Sequence, residues 1–208
     1  MVKADMELDK ITGKDLTDRI RAHADTLLAI FLPSAVTALL LGIFLVIRLR
    51  IPGAVIGTLL TAFPLRFVLN ALPLHLHPEQ ADVFRKYGEP DAVAEKLRAG
   101  SGSIFFDNGR AVFTEQYALD RERPENLLFY PETLNVYPDG VSGKEEMLIV
   151  YDIWGQKLRF PFTNGKKQVF RIGVLTDKIR RNAPGCRNGH RSEDLDYVRQ
   201  HQKPLPEK

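Results

Sequence analysis

Thr26 to Ile47 reads TLLAIFLPSAVTALLLGIFLVI, a run of 22 side chains without a charge in which Leu, Ile, Phe, Val and Ala predominate. As a helix rising about 1.5 Å per residue it spans roughly 33 Å, close to the thickness of bilayer hydrocarbon. A water-soluble helix keeps one polar face, and this run has none to present. It reads as a membrane span. A cleaved secretory signal is the competing reading, but 25 mostly polar residues precede the run, and the run exceeds the usual apolar core of a signal.

After Arg48-Leu49-Arg50 a second apolar stretch begins, IPGAVIGTLLTAFPL, free of charge from Ile51 to Leu65. Fifteen residues make about 22 Å of helix, too little to cross alone. Continuing through Arg66 to Leu74 gives about 36 Å at the same rise. The added cost is one arginine in the span, at most roughly 3 kcal/mol if central and less where the side chain snorkels toward headgroups. The expectation is a transmembrane helical hairpin over residues 26–74, with spans at 26–47 and about 51–74; a re-entrant second segment is the lesser alternative. Pro33 falls inside the first span and Pro52 suits the first turn of the second. Arg66 is also the candidate for contact with an acidic or carbonyl partner in another membrane helix.

In such a hairpin Lys10, Lys14, Arg19, Arg21, Arg85 and Lys86 flank the bilayer on the side of both chain ends, while the turn carries Arg48 and Arg50. The positive-inside bias then puts both ends in the cytoplasm, on the inner face of a bacterial inner membrane. The lone Cys186 agrees, since it leaves no intrachain disulfide that would indicate an oxidising compartment.

Residues 1–25 form an amphipathic segment in which Leu8, Ile11, Leu16 and Ile20 recur near helical spacing, with a helix starting near Lys14. Residues 75–100 read as a helical linker of two short helices. Pro78 opens the first, Gly88 closes it in a left-handed conformation, and Pro90 opens the second. From Ser103 the period falls to two. Strands are expected at Ser103–Phe106 and Arg110–Thr114 around Asn108-Gly109, at Leu127–Tyr130 and Thr133–Tyr137, and at Met147–Ile153 and Gln156–Phe162. A helix from Asn164 to about Asn182 follows, with Val169, Ile172, Leu175 and Ile179 facing a core. Short antiparallel strands followed by one amphipathic helix make residues 101–184 an α+β domain, a small sheet or half-barrel of pleckstrin-homology-like order with the helix capping it. Residues 185–208 read as a polar tail.

The stretch HPEQADVFRKYGEPDAVAEKLRAG, the strands ending in YDIWGQKLRF, the final helix and APGCRNGHRSEDLDYVRQ together resemble a group of bacterial membrane proteins that join a helical hairpin to a pleckstrin-homology-like domain. The resemblance covers roughly Leu74 to Gln200 and is sharpest at His77, Pro78, Tyr87, Gly88, Glu89 and Pro90. It departs at Gly185 to Asn188. It implies an architecture and carries no activity.

Chemistry-bearing patterns are sparse. His75 and His77 lack further metal ligands nearby in sequence, and Cys186 with His190 lacks an orienting third group. The glycines belong to turns, and none forms a phosphate loop with a lysine at the right offset. No catalytic residue, cofactor or metal is expected. Trp154 and Phe160 read as core or cross-strand aromatics. The feature with physical content is charge: residues 157–191 hold ten Lys or Arg against the single acid Asp177. Lys166, Lys167, Arg171, Lys178, Arg180 and Arg181 lie on or beside one helix and are the candidates for binding an anionic surface, where each could contribute about 1 kcal/mol. Nucleic-acid binding is disfavoured because aromatic interleaving is missing. The expected function is a membrane-anchored, non-enzymatic protein whose cytosolic domain binds a protein partner or anionic lipid. A subunit or regulator of a membrane complex, using the hairpin as its interface, is the alternative, and a membrane-tethered enzyme ranks last.

Overall fold

The computed structural model describes residues 8–49, 51–100, 102, 104–106, 110–141, 145–163 and 166–206. The chain forms two compact units, one of residues Lys14–Ala81 and one of Met1–Gly13 with Asp82–Lys208. The 75–100 segment read as a linker is thus divided between them at Ala81.

The first unit is built on α1 (Gly13–Leu49) and α2 (Ile51–Leu76). The early helix runs without a break into the apolar stretch, as its spacing predicts, and α2 extends two residues beyond Leu74. The helices are antiparallel. Asp25 meets His75 at 2.5 Å, Phe31 stacks on Phe67 at 4.3 Å, and Gly42 faces Gly57, so the contacts climb one helix as they descend the other. Both glycines are required by proximity: a Cβ on Gly57 would lie 2.7 Å from the Gly42 Cα, and one on Gly42 would lie 3.2 Å from the Gly57 Cα. Four hydroxyls inside the apolar stretches are satisfied locally. Thr26, Ser34, Thr58 and Thr61 each donate to the carbonyl four residues earlier, which suits a surrounding without water. Pro78 then opens a short 3₁₀ turn, Pro78–Gln80.

At the start of α1, Leu16, Ile20 and Ala24 are buried. Beyond Thr26 the pattern reverses, and Leu40, Ile47, Leu59, Phe63 and Leu69 are all more than half exposed. Only 11 % of the most apolar window of α1 and 22 % of that of α2 is buried. The core helix of a soluble protein would be largely covered. Both helices are long and apolar enough to cross a membrane.

The second unit begins with α3 (Asp82–Tyr87) and α4 (Pro90–Arg98), separated by Gly88 at φ +105°. Among the described residues seven strands follow in two antiparallel meanders. One has the order β1 (Ile104–Phe106), β2 (Ala111–Phe113), β3 (Tyr117–Asp120), β4 (Leu127–Phe129); the other has β5 (Thr133–Val141), β6 (Glu145–Asp152), β7 (Lys157–Thr163). Registers of Val136 opposite Val150, Val150 opposite Leu158, and Leu148 opposite Phe160 place these side chains on one buried face. Phe113 of β2 meets Phe160 of β7 at 5.5 Å, joining the sheets. α5 (Lys166–Asn182) adds Ile172, Leu175 and Ile179 to the same core. The Asn108-Gly109 and Asn164-Gly165 turns lie outside the described residues.

Two elements depart from the sequence reading. β3 is an additional strand whose four residues are all buried, so it shows no alternation. The polar tail is not loose, because α6 (Ser192–His201) lies within it and the residues before α6 pair with β5. Val136 N donates to the Arg187 carbonyl at 3.0 Å and Arg187 N to the Leu134 carbonyl at 2.9 Å.

The glycine contact generates a prediction. Gly57→Leu is expected to cost about 1–3 kcal/mol through overpacking, read as a lower melting temperature of the detergent-solubilised protein by circular dichroism. Gly42→Ala, which meets its neighbour at 3.2 Å, should cost less, and equal melting of all three proteins would refute the close packing.

Candidate functional site

A buried polar cluster in the second unit forms where two stretches distant in sequence, FRKYGEP and YDIWGQK, come together. α3 is only one and a half turns long, and its fixed end brings Lys86 and Tyr87 inward. Gly88 N donates to the Phe84 carbonyl at 3.0 Å, and the positive φ of Gly88 ends the helix there. On the other side the β6–β7 turn wraps its own carboxylate. Asp152 Oδ1 accepts from Trp154 N at 3.0 Å and from Gln156 N at 2.8 Å, with Gly155 at φ +73°. This is an Asx-type turn, in which a short acidic side chain replaces backbone partners.

The remaining oxygen, Asp152 Oδ2, takes Lys86 Nζ. Both side chains are almost wholly buried, at 1 % and 0 % exposure. Lys86 Nζ also donates to Gln156 Oε1 at 2.7 Å and lies 5.2 Å from the Trp154 ring centre. Gln156 Nε2 continues the chain to Asp82 Oδ2 at 2.8 Å. Two of the three ammonium donors therefore have hydrogen-bond partners and the charge itself is paired, which is the condition for burying it. Tyr87 packs edge-on against Phe129 at 4.9 Å and Trp154 at 5.5 Å. Burial first, and then the carboxylates of Glu132 and Asp152, push its phenol well above the ordinary tyrosine value. Glu132 is raised by burial, against the opposing pull of Tyr87 and Lys96. α4 is fastened by Lys96 Nζ donating to the Tyr87 carbonyl at 2.9 Å and by the Tyr117 hydroxyl donating to the Leu97 carbonyl at 2.8 Å. This arrangement is a latch that holds α3 and α4 to the strands.

Lys86, counted in sequence among the bilayer-flanking cations, is thus committed to an internal pair. The basic helix divides in a similar way. Lys178 donates to Glu115 Oε1 at 2.7 Å, Arg180 lies 3.9 Å from Asp177, and Arg181 is exposed. Lys166, Lys167 and Arg171 lie on α5, and their side chains fall outside what is described. Arg66 is exposed on α2, with no hydrogen bond or ion pair among the described residues.

The two histidines take separate partners, His75 with Asp25 and His77 with Glu79 at 3.3 Å. Among the described residues no group of three or more His, Cys, Asp or Glu is placed to hold a metal. Cys186 and His190 do not converge. The thiol donates to the Arg187 carbonyl at 3.3 Å and packs on the core, while His190 lies against Tyr137. Burial pushes the Cys186 thiol up to about 12, so little thiolate exists at neutral pH. Phe160 is fully buried and Trp154 half-buried, the latter serving Lys86 rather than an open platform. The sequence reading missed the Lys86–Asp152 pair; its only trace was a lysine on a short helix and an aspartate beside a Trp-Gly turn.

Comparison with protein-family models, with curated proteins and with solved structures finds no match to the chain.

Lys86→Met should destabilise the second unit by about 3–5 kcal/mol, because Asp152 is left charged and buried. Adding Asp152→Asn keeps the turn acceptor, removes the charge and should restore much of the loss. Trp154, the sole tryptophan, reports unfolding in urea by fluorescence, and a single-variant loss below about 1 kcal/mol would reduce the latch to a surface-strength pair.

Proposed function

We propose that the protein is a membrane-anchored, non-enzymatic protein of a bacterial inner membrane. Its helical hairpin spans the bilayer with both chain ends in the cytoplasm, and its second unit serves as a cytosolic binding module. The observation that carries this reading is the outward apolar surface of α1 and α2, on which Leu40, Ile47, Leu59 and Phe63 are exposed. At roughly 25 cal/mol per Å², exposing so many large side chains to water would be prohibitive, whereas lipid accommodates them.

The positive-inside bias supports the orientation through Lys10, Lys14, Arg19, Arg21 and Arg85. Four strands, three strands and a following helix agree with the pleckstrin-homology-like order, and with the resemblance to hairpin-bearing bacterial membrane proteins. The satisfied bonding of Lys86, Asp152 and Gln156 favours a structural role for the polar cluster over chemistry.

One observation favours a second reading, in which the hairpin is the interface of a membrane complex. Arg66 stands exposed amid apolar neighbours, where an acidic or carbonyl partner on another helix would compensate it.

The protein is expected to stay in the membrane fraction through alkaline carbonate and to leave it only with detergent; release by carbonate would defeat the proposal. Cys186 is a poor topology reporter because its thiol is packed and its ionisation suppressed. Glu193→Cys in a Cys186→Ala background places a reactive thiol on the exposed face of α6. It should resist an impermeant maleimide in intact cells and react after lysis, and labelling in intact cells would reverse the orientation. For the second reading, Arg66→Leu should shift the migration of the native complex in mild detergent, whereas unchanged migration would mean that the arginine only snorkels.

A further inference from the structure

β5 is an edge strand of its sheet, and residues 185–206 cross that edge as a strap that pivots at Gly185, where φ is +89°. Its grip is mostly main chain and lies at its two ends. At the first, Arg187 makes one parallel bridge to Asn135: Val136 N donates to the Arg187 carbonyl at 3.0 Å and Arg187 N to the Leu134 carbonyl at 2.9 Å. Asn135 Nδ2 also donates to the Gly189 carbonyl at 2.8 Å. At the second, Lys203 N donates to the Ile153 carbonyl at 2.6 Å and Arg85 to the Pro206 carbonyl at 3.3 Å. Between them α6 buries Val198 alone among its described residues. Several side-chain contacts are internal to the strap and would travel with it. Arg187 lies 4.5 Å from the Tyr197 ring centre, and Tyr197 stacks on His201 at 3.9 Å and donates to the Gly185 carbonyl at 3.2 Å. Beneath the strap one bond is left unmade. Asn135 is fully buried, and its Oδ1 accepts no hydrogen bond among the described residues, a state that costs free energy until a donor meets it.

We infer that the edge of β5 around Asn135 is a docking site for an extended segment of a protein partner, and that the chain's own residues 185–206 occupy it until displaced. The inference rests on the reading of the second unit as a binding module and names its site and its class of ligand. A free strand edge recognises a partner through main-chain N–H and C=O groups, by strand addition, and the strap displays the geometry. A segment that runs parallel to β5 in the place of Arg187 keeps both ladder bonds; one that also presents a donor to Asn135 Oδ1 gains a bond that the strap lacks. Pro138, which faces the same edge by alternation, has no N–H to give, so the ladder stays short. A lipid headgroup or a nucleic acid has no alternating N–H and C=O groups with which to extend a sheet. The strap holds the site by being part of the same chain. Its departure also frees Cys186, whose thiol is packed on the core while the strap is down.

The test uses the full chain in detergent, with alkylation of Cys186, the sole cysteine, reporting strap opening and amide exchange at Val136 reporting occupancy of the edge. The probe is a fluorescent synthetic peptide of residues 187–206, which contains no cysteine. Arg187→Pro in the chain removes the donor to the Leu134 carbonyl. It should speed alkylation of Cys186 about tenfold and expose Val136 to exchange. The peptide should bind this variant about tenfold more tightly than the wild type and restore protection at Val136, and the peptide that itself carries Arg187→Pro should lose about tenfold in affinity. Circular dichroism checks the fold; should Arg187→Pro not fold, Lys203→Pro opens the strap from its other end. Binding that leaves both reporters unchanged places the peptide elsewhere and overturns the inference, while the binding-module reading stands. An unprotected Val136 that ignores the peptide overturns it, and so does a Val136 that stays protected in both variants. A dimer formed by exchange of straps gives the edge to a second copy and overturns the assignment to a partner. Loss of the membrane anchor would show as solubility without detergent and would leave these readouts untouched.

Discussion

The surface of the hairpin sets the terms for everything else in the molecule, because side chains such as Leu40, Ile47 and Leu59 face outward with no protein to cover them. Both helices of the pair are long and apolar enough to cross a membrane. On the proposed membrane reading, packing takes over inside the pair, because the hydrophobic effect gives no preference between lipid and protein. Gly42 and Gly57 let the backbones approach, Phe31, Phe63 and Phe67 interlock further along, and Asp25 with Arg21 grips the last turn of α2 through His75. The hydroxyls of Thr26, Ser34, Thr58 and Thr61 are spent on their own helices. Arg66 and Asn70 stand exposed among the apolar side chains of α2.

The second unit solves a different problem, that of making a core in which four of the described strands are only three or four residues long. Three-residue strands supply few ladder bonds, and their stability has to come from burial on both faces. Phe113, Tyr117, Tyr130 and Phe160 fill that space, and the hydroxyls of the two tyrosines reach backbone carbonyls of Leu97 and Thr114. Desolvation raises both phenols, that of Tyr117 to about 12, so they remain neutral donors throughout the physiological range. The buried Lys86–Asp152 pair adds less energy than its geometry suggests, since desolvating two charges offsets most of their attraction. Its stronger effect is on uniqueness: α3 can dock in one register, because any other leaves a buried ion alone.

Much of this was legible in the chain, for identifiable reasons. A long apolar run declares a helix by composition alone, and the breaks at Gly88 and Pro90 follow from backbone restrictions of single residues. Strands with one covered face, such as Met147 to Tyr151, announce themselves by alternation. β3 does not, because Tyr117, Ala118, Leu119 and Asp120 are all buried and the period of two vanishes; Asp120 is admitted by Arg110 at 3.2 Å and by the backbone N–H groups of Glu122 and Arg123, which donate to its Oδ1. α6 was hidden by polarity. Among its described residues only Val198 is buried, and the acids Glu193 and Asp194 in its first turn were the available start signal. The Lys86–Asp152 latch joins positions 66 residues apart; no local pattern encodes such a meeting, and the basic stretch seen in sequence gave no hint that Lys178 would turn back to Glu115.

That last contact bears on how a charged surface should be counted. Formal charge on α5 overstates what is free to act at a distance, because an ion pair that is already made contributes little field beyond a Debye length. Of the six cations on the helix, Lys178 is engaged by Glu115 and Arg180 lies close to Asp177, so an isolated unit would meet an anionic surface with less than its formal charge. Binding of that strength is weak when two bodies must find each other in solution. On the proposed reading they need not, since the chain that ends α2 at Leu76 resumes as α3 at Asp82 after a single short turn. A linker of that length converts a bimolecular encounter into an intramolecular one, and modest contacts become sufficient because the entropy of association has already been lost in anchoring the hairpin.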